Sequence, residues 1–306
     1  MEIRSVAVLG AGAIGAYFVK GLSRKLGENL CVVAEGERKE RLERDGLNIN
    51  QKHVSLNVKT PDEARGADLL VIAVKYAALK PSLPMVEKIV DDHTIVLSVL
   101  NGVDSEEIVA SRIGEQHVIP SVMKISIQRV GNDIKINTGN ELGVLFGEKD
   151  GKRTERIDAL VNLFKDSDMR YVLSDNVVRD MWYKYALNVS RNIPQAIINC
   201  GFGAYSASEH VMYISRMMRE EVKAVAAAKG IDISDDDNPA GKATTGAATA
   251  RFSTLQDLDA KRATEIDMFC GAMVRMGREL GVPTPFNDFA YHAVKALEEK
   301  NSGIIS

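Results

Sequence analysis

In one segment of the chain, an ammonium group and two carboxamides occur at intervals of four residues. They belong to Lys184, Asn188 and Asn192. An α-helix turns by ~100° per residue, so this spacing stacks the three side chains on one face. The residues between them are largely apolar, so the segment is expected to be buried and the polar row to face a polar partner or ligand. A lysine can protonate a developing alkoxide and amides can orient a carbonyl, so the row predicts a substrate site with its own acid.

A glycine-rich turn near the start of the chain predicts a dinucleotide site. It follows an apolar strand over Ser5–Leu9 and precedes a helix over Ala16–Leu26. In such a turn the first glycine allows a sharp bend, the second lets backbone N–H groups approach a pyrophosphate, and the third permits close helix packing. The predicted cofactor-binding residues of the turn are Gly10, Ala11, Gly12, Ala13, Ile14 and Gly15.

An acidic residue at the end of the next strand bears on the choice of dinucleotide. Glu35 follows the strand Leu30–Ala34. A carboxylate there accepts hydrogen bonds from a ribose 2′-OH and repels a 2′-phosphate, which favours NADH. Arg38 and Lys39 lie just beyond and could instead pair with a 2′-phosphate, or they belong to a solvated helix face. Both cofactors stay open on these residues alone.

Two further polar positions follow predicted strands. Lys75 comes after Leu69–Val74, and Asn101 with Gly102 comes after Thr94–Val99. Doubly wound sheets bind ligands at the carboxyl ends of their strands, so Lys75 and Asn101 are candidate cofactor residues. The alternatives are an exposed charge at a strand end and a simple turn.

Short apolar strands alternate with helices in the first half, which predicts an α/β fold with a parallel, doubly wound sheet. A strand at Val118–Met123 continues the sheet, and alternation from Ile125 to Phe146 predicts an antiparallel extension. The second half reads as helical. Residues 1–174 are therefore expected to form a Rossmann dinucleotide-binding domain and residues 175–306 a helical substrate domain. Its predicted helices are Asn176–Asn199, Ser208–Lys229, Leu255–Leu280 and Asn287–Lys300, and Ala240–Ala250 is either a lid or a plain connection.

Bulk properties narrow the class of protein. The formal net charge is −3 over 306 residues, with acids and bases interspersed, so nucleic acid and anionic membranes are not expected partners. Cys31, Cys200 and Cys270 lack the spacing of a disulfide framework or a zinc site, and no metal is expected. No apolar run is long enough for a membrane span. A cytoplasmic protein with a small-molecule partner is expected.

These motifs, in this order, resemble the ketopantoate reductase family, also called the 2-dehydropantoate 2-reductase family. The resemblance spans essentially the whole chain. The matching pieces are the Gly10–Gly15 turn, Lys75, Asn101-Gly102, the Lys184-Asn188-Asn192 row, and the two runs Ser253–Asp257 and Thr264–Asp267. The resemblance implies a 6-phosphogluconate-dehydrogenase-like architecture, with a Rossmann domain and an all-helical C-terminal domain.

The resemblance also implies residue roles. Lys184 would be the proton donor, and Asn188, Asn192 and Ser253 would hold the carboxylate and hydroxyl groups of the substrate. Asn101 and Glu265 would touch cofactor or substrate. Without the resemblance, Glu265 would be a helix-face acid and Ser253 an N-cap for the helix from Leu255. The implied cofactor is NADPH, and the implied reaction is hydride transfer to the C2 carbonyl of ketopantoate, giving pantoate for pantothenate and coenzyme A synthesis.

Three departures from the family pattern bear on substrate and cofactor. Ile193-Pro194-Gln195 stands where the family commonly has Pro, Leu and Thr. Phe202 stands where a further Asn is frequent, although Asn199 is nearby. Glu35 stands where many members have an Arg that meets the 2′-phosphate. These departures leave open another 2-oxo acid or related carbonyl compound as substrate.

A catalytically silent dinucleotide sensor is the alternative from another class. It would need none of the five residues Lys184, Asn188, Asn192, Ser253 and Glu265. The methionines indicate helix packing, with a homodimer interface as a second interpretation; they include Met212, Met217, Met218 and Met273.

Overall fold

The structure is a computed structural model that describes residues 1–130, 133–137, 141–234 and 247–306. It divides into two compact units, Met1–Val178 and Arg179–Ser306. The stretch Ala240–Ala250, predicted as a lid or a connection, lies outside the described residues as far as residue 246. No helix within the described ranges is both long and apolar enough to cross a membrane.

Over its described residues, the first unit is built on thirteen short strands and the helices between them. In chain order the strands are β1 Val6–Leu9, β2 Leu30–Val33, β3 Leu47–Ile49, β4 Lys52–Val54, β5 Val58–Lys59, β6 Leu69–Ile72, β7 Ile95–Ser98, β8 Val118–Ile119, β9 Ser121–Lys124, β10 Ser126–Val130, β11 Asp133–Asn137, β12 Gly143–Phe146 and β13 Tyr171–Leu173. The helices are α1 Ala13–Leu26, α2 Gly36–Asp45, α3 Tyr76–Ile89, α4 Ser105–Ile113 and α5 Glu155–Phe164.

Six of these strands form one sheet in the order β5-β2-β1-β6-β7-β8, and every neighbouring pair is parallel. Alternate residues of β1 enter two different cores. Val6 and Val8 pack in the core that contains residues of α1 and α5, whereas Ala7 and Leu9 pack in the core that contains residues of α3 and α4. A sheet covered on both faces needs apolar residues at every position, which is why these strands read as continuous apolar runs. The predicted doubly wound α/β sheet is confirmed.

The strand order reverses beside β1. If the six strands are numbered 1 to 6 by their order in the chain, their spatial order across the sheet is 3-2-1-4-5-6, as in dinucleotide-binding sheets. The reversal falls between β1 and β6, where crossovers run to opposite faces. Ligands bind at such a point, outside the carboxyl ends of the strands.

The antiparallel extension predicted for Ile125–Phe146 is only partly right. Strands β10 and β11 do pair antiparallel, but they join β3 and β4 in a separate four-stranded sheet. Strand β12 belongs to a third sheet, between β9 and β13.

The single strand predicted for Val118–Met123 is wrong. Pro120 separates β8 from β9, and these two strands belong to different sheets. Proline has no N–H to donate to a ladder, so it interrupts the pairing and the chain changes sheet there.

The second unit is helical, as predicted. After α6 Val177–Leu187 its α-helices are α7 Ile193–Ile198, α8 Ala204–Ala207, α9 Glu209–Ala228, α10 Ser253–Asp259, α11 Ala272–Leu280 and α12 Pro285–Ser302. Two segments of the described part of this unit are wound as π-helix: the first π segment, Asn188–Asn192, and the second π segment, Asp267–Gly271.

The continuous helix predicted for Leu255–Leu280 is wrong, because the chain leaves the helix after Asp259 and resumes at Asp267. Side-chain contacts hold the break open. The backbone N–H and the hydroxyl of Thr264 both donate to a carboxylate oxygen of Glu298, each at 2.7 Å. Lys261 adopts a left-handed φ of 51°. A long-range carboxylate therefore overrides the helical propensity of this stretch.

Candidate active site

The glycine turn joins β1 to α1 at the point where the strand order reverses. Gly10 has a φ of +112°, and a Cβ there would stand 2.6 Å from the carbonyl oxygen of Ala73, just after β6. A Cβ at Gly15 would stand 1.9 Å from the carbonyl oxygen of Gly10. Both positions need glycine because the protein itself leaves no room.

Gly12 differs from the other two glycines of the turn. It directly precedes α1, and a Cβ placed on it would meet no atom within 4 Å. The first turn of α1 has no acidic residue and no side-chain cap. The first N–H groups of a helix lack intrahelical partners and attract anions. The open space and these donors fit a pyrophosphate; Ala11 is buried beside them, and Ala13 and Ile14 are half-buried.

Glu35 lies next to this turn, one strand away. Leu9 of β1 pairs with Val33 of β2, so the chain after β2 emerges at the same sheet edge. Glu35 directly precedes α2, is exposed, and does not cap the helix with its side chain. A carboxylate so placed can accept bonds from a ligand.

The two basic residues beyond Glu35 differ in their surroundings. Arg38 is exposed on the first turn of α2. The ammonium of Lys39 contacts the carboxylate of Glu43 and donates to the carbonyl of Val58 at 3.2 Å. Lys39 is thus held by the protein, which leaves Arg38 as the candidate for a 2′-phosphate.

Lys75 and Asn101 lie at the same edge, on the other side of β1. Ile72 of β6 pairs with Leu9 and with Ser98 of β7. Lys75 directly precedes α3 and is exposed, and Asn101 is half-buried before a Gly102 with a φ of +99°. The structure therefore brings the Gly10–Gly15 turn, Glu35, Lys75 and Asn101 to one edge of the sheet.

A buried acidic cluster, which the sequence did not predict, follows Asn101 in the chain and includes Asp104, Ser105 and Glu106. Ser98 donates to Ser105, and Ser105 donates to the carboxylate of Glu106, both at 2.8 Å. Asp104 accepts a 2.6 Å bond from the hydroxyl of Tyr76. Burial raises the pKa of Glu106 to about 7, and the nearby charge of Asp104 adds to the effect. Acids and serines at a helix start resemble ordinary capping residues, so sequence offered no signal of burial.

The predicted polar row of the second unit is present, but not on a regular α-helix. Lys184 is half-buried on α6, whereas Asn188 and Asn192 are the first and last residues of the first π segment. Four α-helical residues overshoot a full turn by about 40°. A π turn holds more residues, so four of its residues fall short of a full turn and the drift reverses. The π segment thereby returns Asn192 toward the azimuth of Lys184.

Each π segment has a buried tyrosine that donates to one of its carbonyl groups. The hydroxyl of Tyr205 donates to the carbonyl of Arg191 in the first segment. The hydroxyl of Tyr185 donates to the carbonyl of Phe269 in the second, at 2.6 Å. An extra residue in a helix disturbs the regular backbone bonding, and these hydroxyls satisfy carbonyls there.

Glu265 and Ser253 lie on segments that pack around the row. Glu265 sits in the non-helical break just before the second π segment, which contacts the first one. The interpretation of Glu265 as a helix-face acid is therefore wrong. Ser253 is the exposed first residue of α10, and α10 also contacts the first π segment. Its alternative role as an N-cap is wrong too, because Phe252 holds that position and makes no side-chain cap.

The residues that depart from the family pattern have structural partners. Gln195 is fully buried and bonds to the backbone of residues 250 and 252. Phe202 packs against the ring of Phe252 at 5.5 Å. Asn199 ends α7 in a left-handed conformation and accepts a 2.7 Å bond from Arg251. The side-chain oxygen of Asn199 is thus bonded to Arg251.

No cluster of three or more metal-ligating side chains occurs in the parts of the chain that the structure describes.

Comparisons with known proteins agree with this arrangement. The family model for ketopantoate reductase PanE/ApbA matches residues 6–151, and the model for the C-terminal part of that family matches residues 176–298. The 2-dehydropantoate 2-reductase of Mesorhizobium japonicum is 26% identical, over 95% of this chain and 97% of that protein.

Solved structures agree as well. A PanE/ApbA family ketopantoate reductase from Ralstonia eutropha JMP134 superposes with a TM-score of 0.82 at 27% identity, covering 97% of this chain and 99% of that one. D-mandelate dehydrogenase with NADH and anilino(oxo)acetate has the same TM-score at 22% identity, with the same coverage, and shares the fold. A nicotinamide dinucleotide is the cofactor implied. The chain belongs to the ketopantoate reductase PanE/ApbA family, whose members are oxidoreductases that act on a CH–OH/C=O group.

Proposed function

We propose that the protein is a 2-dehydropantoate 2-reductase, which reduces the C2 carbonyl of ketopantoate to the alcohol of pantoate. The observation that carries the proposal is the row of Lys184, Asn188 and Asn192, kept in register by a π segment on which the helix of Ser253 packs. A sensor that only binds a dinucleotide would need neither the row nor the π winding. We propose residues 1–174 as the cofactor domain and residues 175–306 as the substrate domain.

The proposed mechanism assigns one task to each residue. The bound nicotinamide supplies the hydride. Lys184 donates the proton that the carbonyl oxygen needs as its charge develops. Asn188 and Asn192 orient the hydroxyl and carbonyl groups of the substrate, and the Ser253 hydroxyl donates to its carboxylate. The carboxylate of Glu265 favours the charged form of Lys184 before the proton is given up.

The cofactor site is assigned to the edge of the parallel sheet. The N–H groups at the start of α1 would hold the pyrophosphate beside Gly12. The exposed Glu35 favours an unphosphorylated ribose, and hence NADH, whereas the exposed Arg38 keeps NADPH, the cofactor expected for the family, as the alternative. Lys75 and Asn101 would contact the cofactor at the two neighbouring strands.

A second candidate substrate is a 2-oxo acid with an aromatic substituent. The rings of Phe202 and Phe252 lie beside Ser253, where the family pattern has a polar residue at position 202. Aromatic faces favour an aromatic or branched group over a polar one. D-mandelate dehydrogenase, which shares this fold, binds anilino(oxo)acetate, an aromatic 2-oxo compound.

The test is the loss of nicotinamide absorbance by purified protein, with NADH and NADPH in parallel. Ketopantoate and phenylglyoxylate are the two substrates. Faster turnover of ketopantoate supports the first proposal, and faster turnover of phenylglyoxylate supports the second. Absence of turnover with both, in protein that binds a dinucleotide, would leave the sensor as the better interpretation.

We also propose a homodimer. Apolar side chains are exposed on two helices of the second unit, with Phe289 70% exposed on α12 and Tyr213 48% exposed on α9. Met212, also exposed, adjoins Tyr213. Such patches favour association. Light scattering of the purified protein would give the mass directly, and a monomer at micromolar concentration would contradict the proposal.

A further inference from the structure

Gln195 is a fully buried glutamine whose side chain reaches across to the segment before Ser253. Its Nε2 donates to the carbonyl of Ala250 at 3.0 Å, and its Oε1 accepts from the N–H of Phe252 at 2.6 Å. A carbonyl can only accept and a backbone N–H can only donate, so both ends of the carboxamide are dictated. Gln195 thus grips the backbone on both sides of Arg251.

A second set of bonds holds the same segment. The N–H groups of Phe202 and Gly203 donate to the carbonyls of Ala250 and Ala248, at 3.0 and 2.8 Å. A Cβ at Gly201 would stand 2.4 Å from the carbonyl oxygen of Ala248, so the two stretches approach as closely as glycine permits. We call Gln195, Gly201–Gly203 and Ala248–Phe252 the clamp.

The clamp ends where α10 begins. Phe252, whose N–H is bound by Gln195, directly precedes Ser253. Gln195 itself lies three residues after Asn192, on the helix that continues the first π segment. One rigid helical stretch therefore carries Asn192 and, through Gln195, sets the backbone that presents the Ser253 hydroxyl.

We propose that Gln195 is the positioning residue for Ser253, holding its hydroxyl in register with Asn188 and Asn192. The inference rests on the proposed function, because it takes Ser253 to bind the substrate carboxylate. A buried glutamine with a structural role alone would support folding without acting through Ser253. The two interpretations differ in the coupling between the two residues.

The test is a double-mutant cycle of Gln195→Met and Ser253→Ala, with KM for the preferred 2-oxo acid as the readout. Gln195→Met keeps the volume and removes both bonds. It is expected to raise KM by roughly 10-fold, the loss of one hydrogen bond to a charged group, while the dinucleotide Kd stays within about twofold. In the Ser253→Ala background the same substitution is expected to change KM by less than about twofold. Equal effects in both backgrounds would overturn the proposal, as would an unchanged KM.

Gln195→Glu gives an independent readout. A protonated glutamic acid can accept from Phe252 and donate to Ala250 as glutamine does, whereas the carboxylate can only accept. The ratio of its KM to that of the parent is therefore expected to fall as pH falls, and the ratio for Gln195→Met to stay level. This variant also serves if Gln195→Met does not fold, and a pH-independent ratio would overturn the proposal.

Val225→Ala is the matched control. Val225 is fully buried near the C-terminal end of α9, so its truncation costs stability without removing a polar contact. Its KM should equal that of the parent. Turnover by the parent chain is measured first: its absence would mean that the proposed function has failed and the inference with it, whereas an active parent with no coupling between Gln195 and Ser253 would mean that only the inference has failed.

Discussion

The hydroxyl of Tyr185 donates a 2.6 Å hydrogen bond to the carbonyl of Phe269. Tyr185 follows Lys184 in the chain, and Phe269 lies in the second π segment, four residues after Glu265. One buried bond therefore ties the helix of the proposed proton donor to the segment of its proposed carboxylate partner. The tyrosine is 1% exposed, so water cannot replace the bond.

Tyr185→Phe should consequently affect both stability and catalysis. It removes one of two hydrogen bonds at the buried carbonyl of Phe269, which also accepts from the N–H of Ala272, at a cost of about 1 kcal/mol in the free energy of unfolding. It also frees the second π segment to shift relative to Lys184, so kcat should fall severalfold with little change in the dinucleotide Kd. Urea unfolding and steady-state kinetics measure the two effects. Tyr183→Phe, which removes a hydroxyl that accepts from Arg179 on the same helix, is the control, and an equal loss of kcat in both variants would contradict the assignment.

Gly12 and Gly15 of the dinucleotide turn should respond differently to alanine. At Gly15 the new Cβ would collide with the carbonyl of Gly10, 1.9 Å away, so Gly15→Ala should unfold or strongly destabilise the first unit. At Gly12 the Cβ meets no atom within 4 Å, so Gly12→Ala should melt near the parent temperature. It should nevertheless weaken dinucleotide binding at least tenfold, because the methyl group would occupy the space of the pyrophosphate. Normal binding by a folded Gly12→Ala would remove the pyrophosphate from this position.

Lys184→Ala should lower kcat by roughly 10²- to 10⁴-fold, the usual contribution of a positioned acid. The dinucleotide Kd should stay close to that of the parent, since the lysine is assigned to the substrate. Lys300→Ala, at the exposed end of α12, controls for the loss of a positive charge and should be silent. Turnover within a few-fold of the parent would assign the proton to another donor.

The cofactor preference should depend on Glu35. Glu35→Gln keeps the size of the side chain and removes its charge, so the ratio of kcat/KM with NADPH to that with NADH should rise about tenfold. Arg38→Gln should lower the same ratio if Arg38 pairs with the 2′-phosphate. An unchanged ratio in both variants would place cofactor selection elsewhere.

Much of this fold can be predicted from local sequence patterns. The strands Val6–Leu9 and Leu69–Ile72 are apolar throughout because a doubly wound sheet buries both of its faces. The turn requires glycine because the backbone atoms that a Cβ would meet lie within a few residues or on the neighbouring strand. The row of Lys184, Asn188 and Asn192 can be predicted because side chains four residues apart share a helix face. Such patterns do not distinguish the type of helix, because the sequence of Asn188–Asn192 is compatible with both α-helix and π-helix.

The remaining features depend on partners far along the chain. The break before Glu265 is held by Glu298, and Gln195 finds its partners at residues 250 and 252. From sequence, Gln195 could only be recognised as a departure from a family pattern. Long-range carboxylates and carboxamides override local propensity, and their pairing cannot be read from spacing.

Glu106 should make the stability of the first unit depend on pH. Burial raises its pKa to about 7, above the value of roughly 4.3 for an unfolded chain. Between these values the folded protein binds more protons than the unfolded one, so the free energy of unfolding falls as pH rises through this window. The total loss from this group is roughly 4 kcal/mol, because each pKa unit corresponds to about 1.4 kcal/mol.

Glu106→Gln isolates that contribution. The amide cannot ionise, so the variant should gain stability relative to the parent between pH 4.5 and pH 8, by up to roughly 4 kcal/mol. Urea unfolding of both proteins across this range measures the difference, which cancels the other titrating groups. Glu107→Gln, at the exposed neighbouring position, should run parallel to the parent. A constant difference between parent and Glu106→Gln would mean that the buried carboxyl titrates at its ordinary pKa, and that its cluster with Ser105 and Asp104 does not keep the proton.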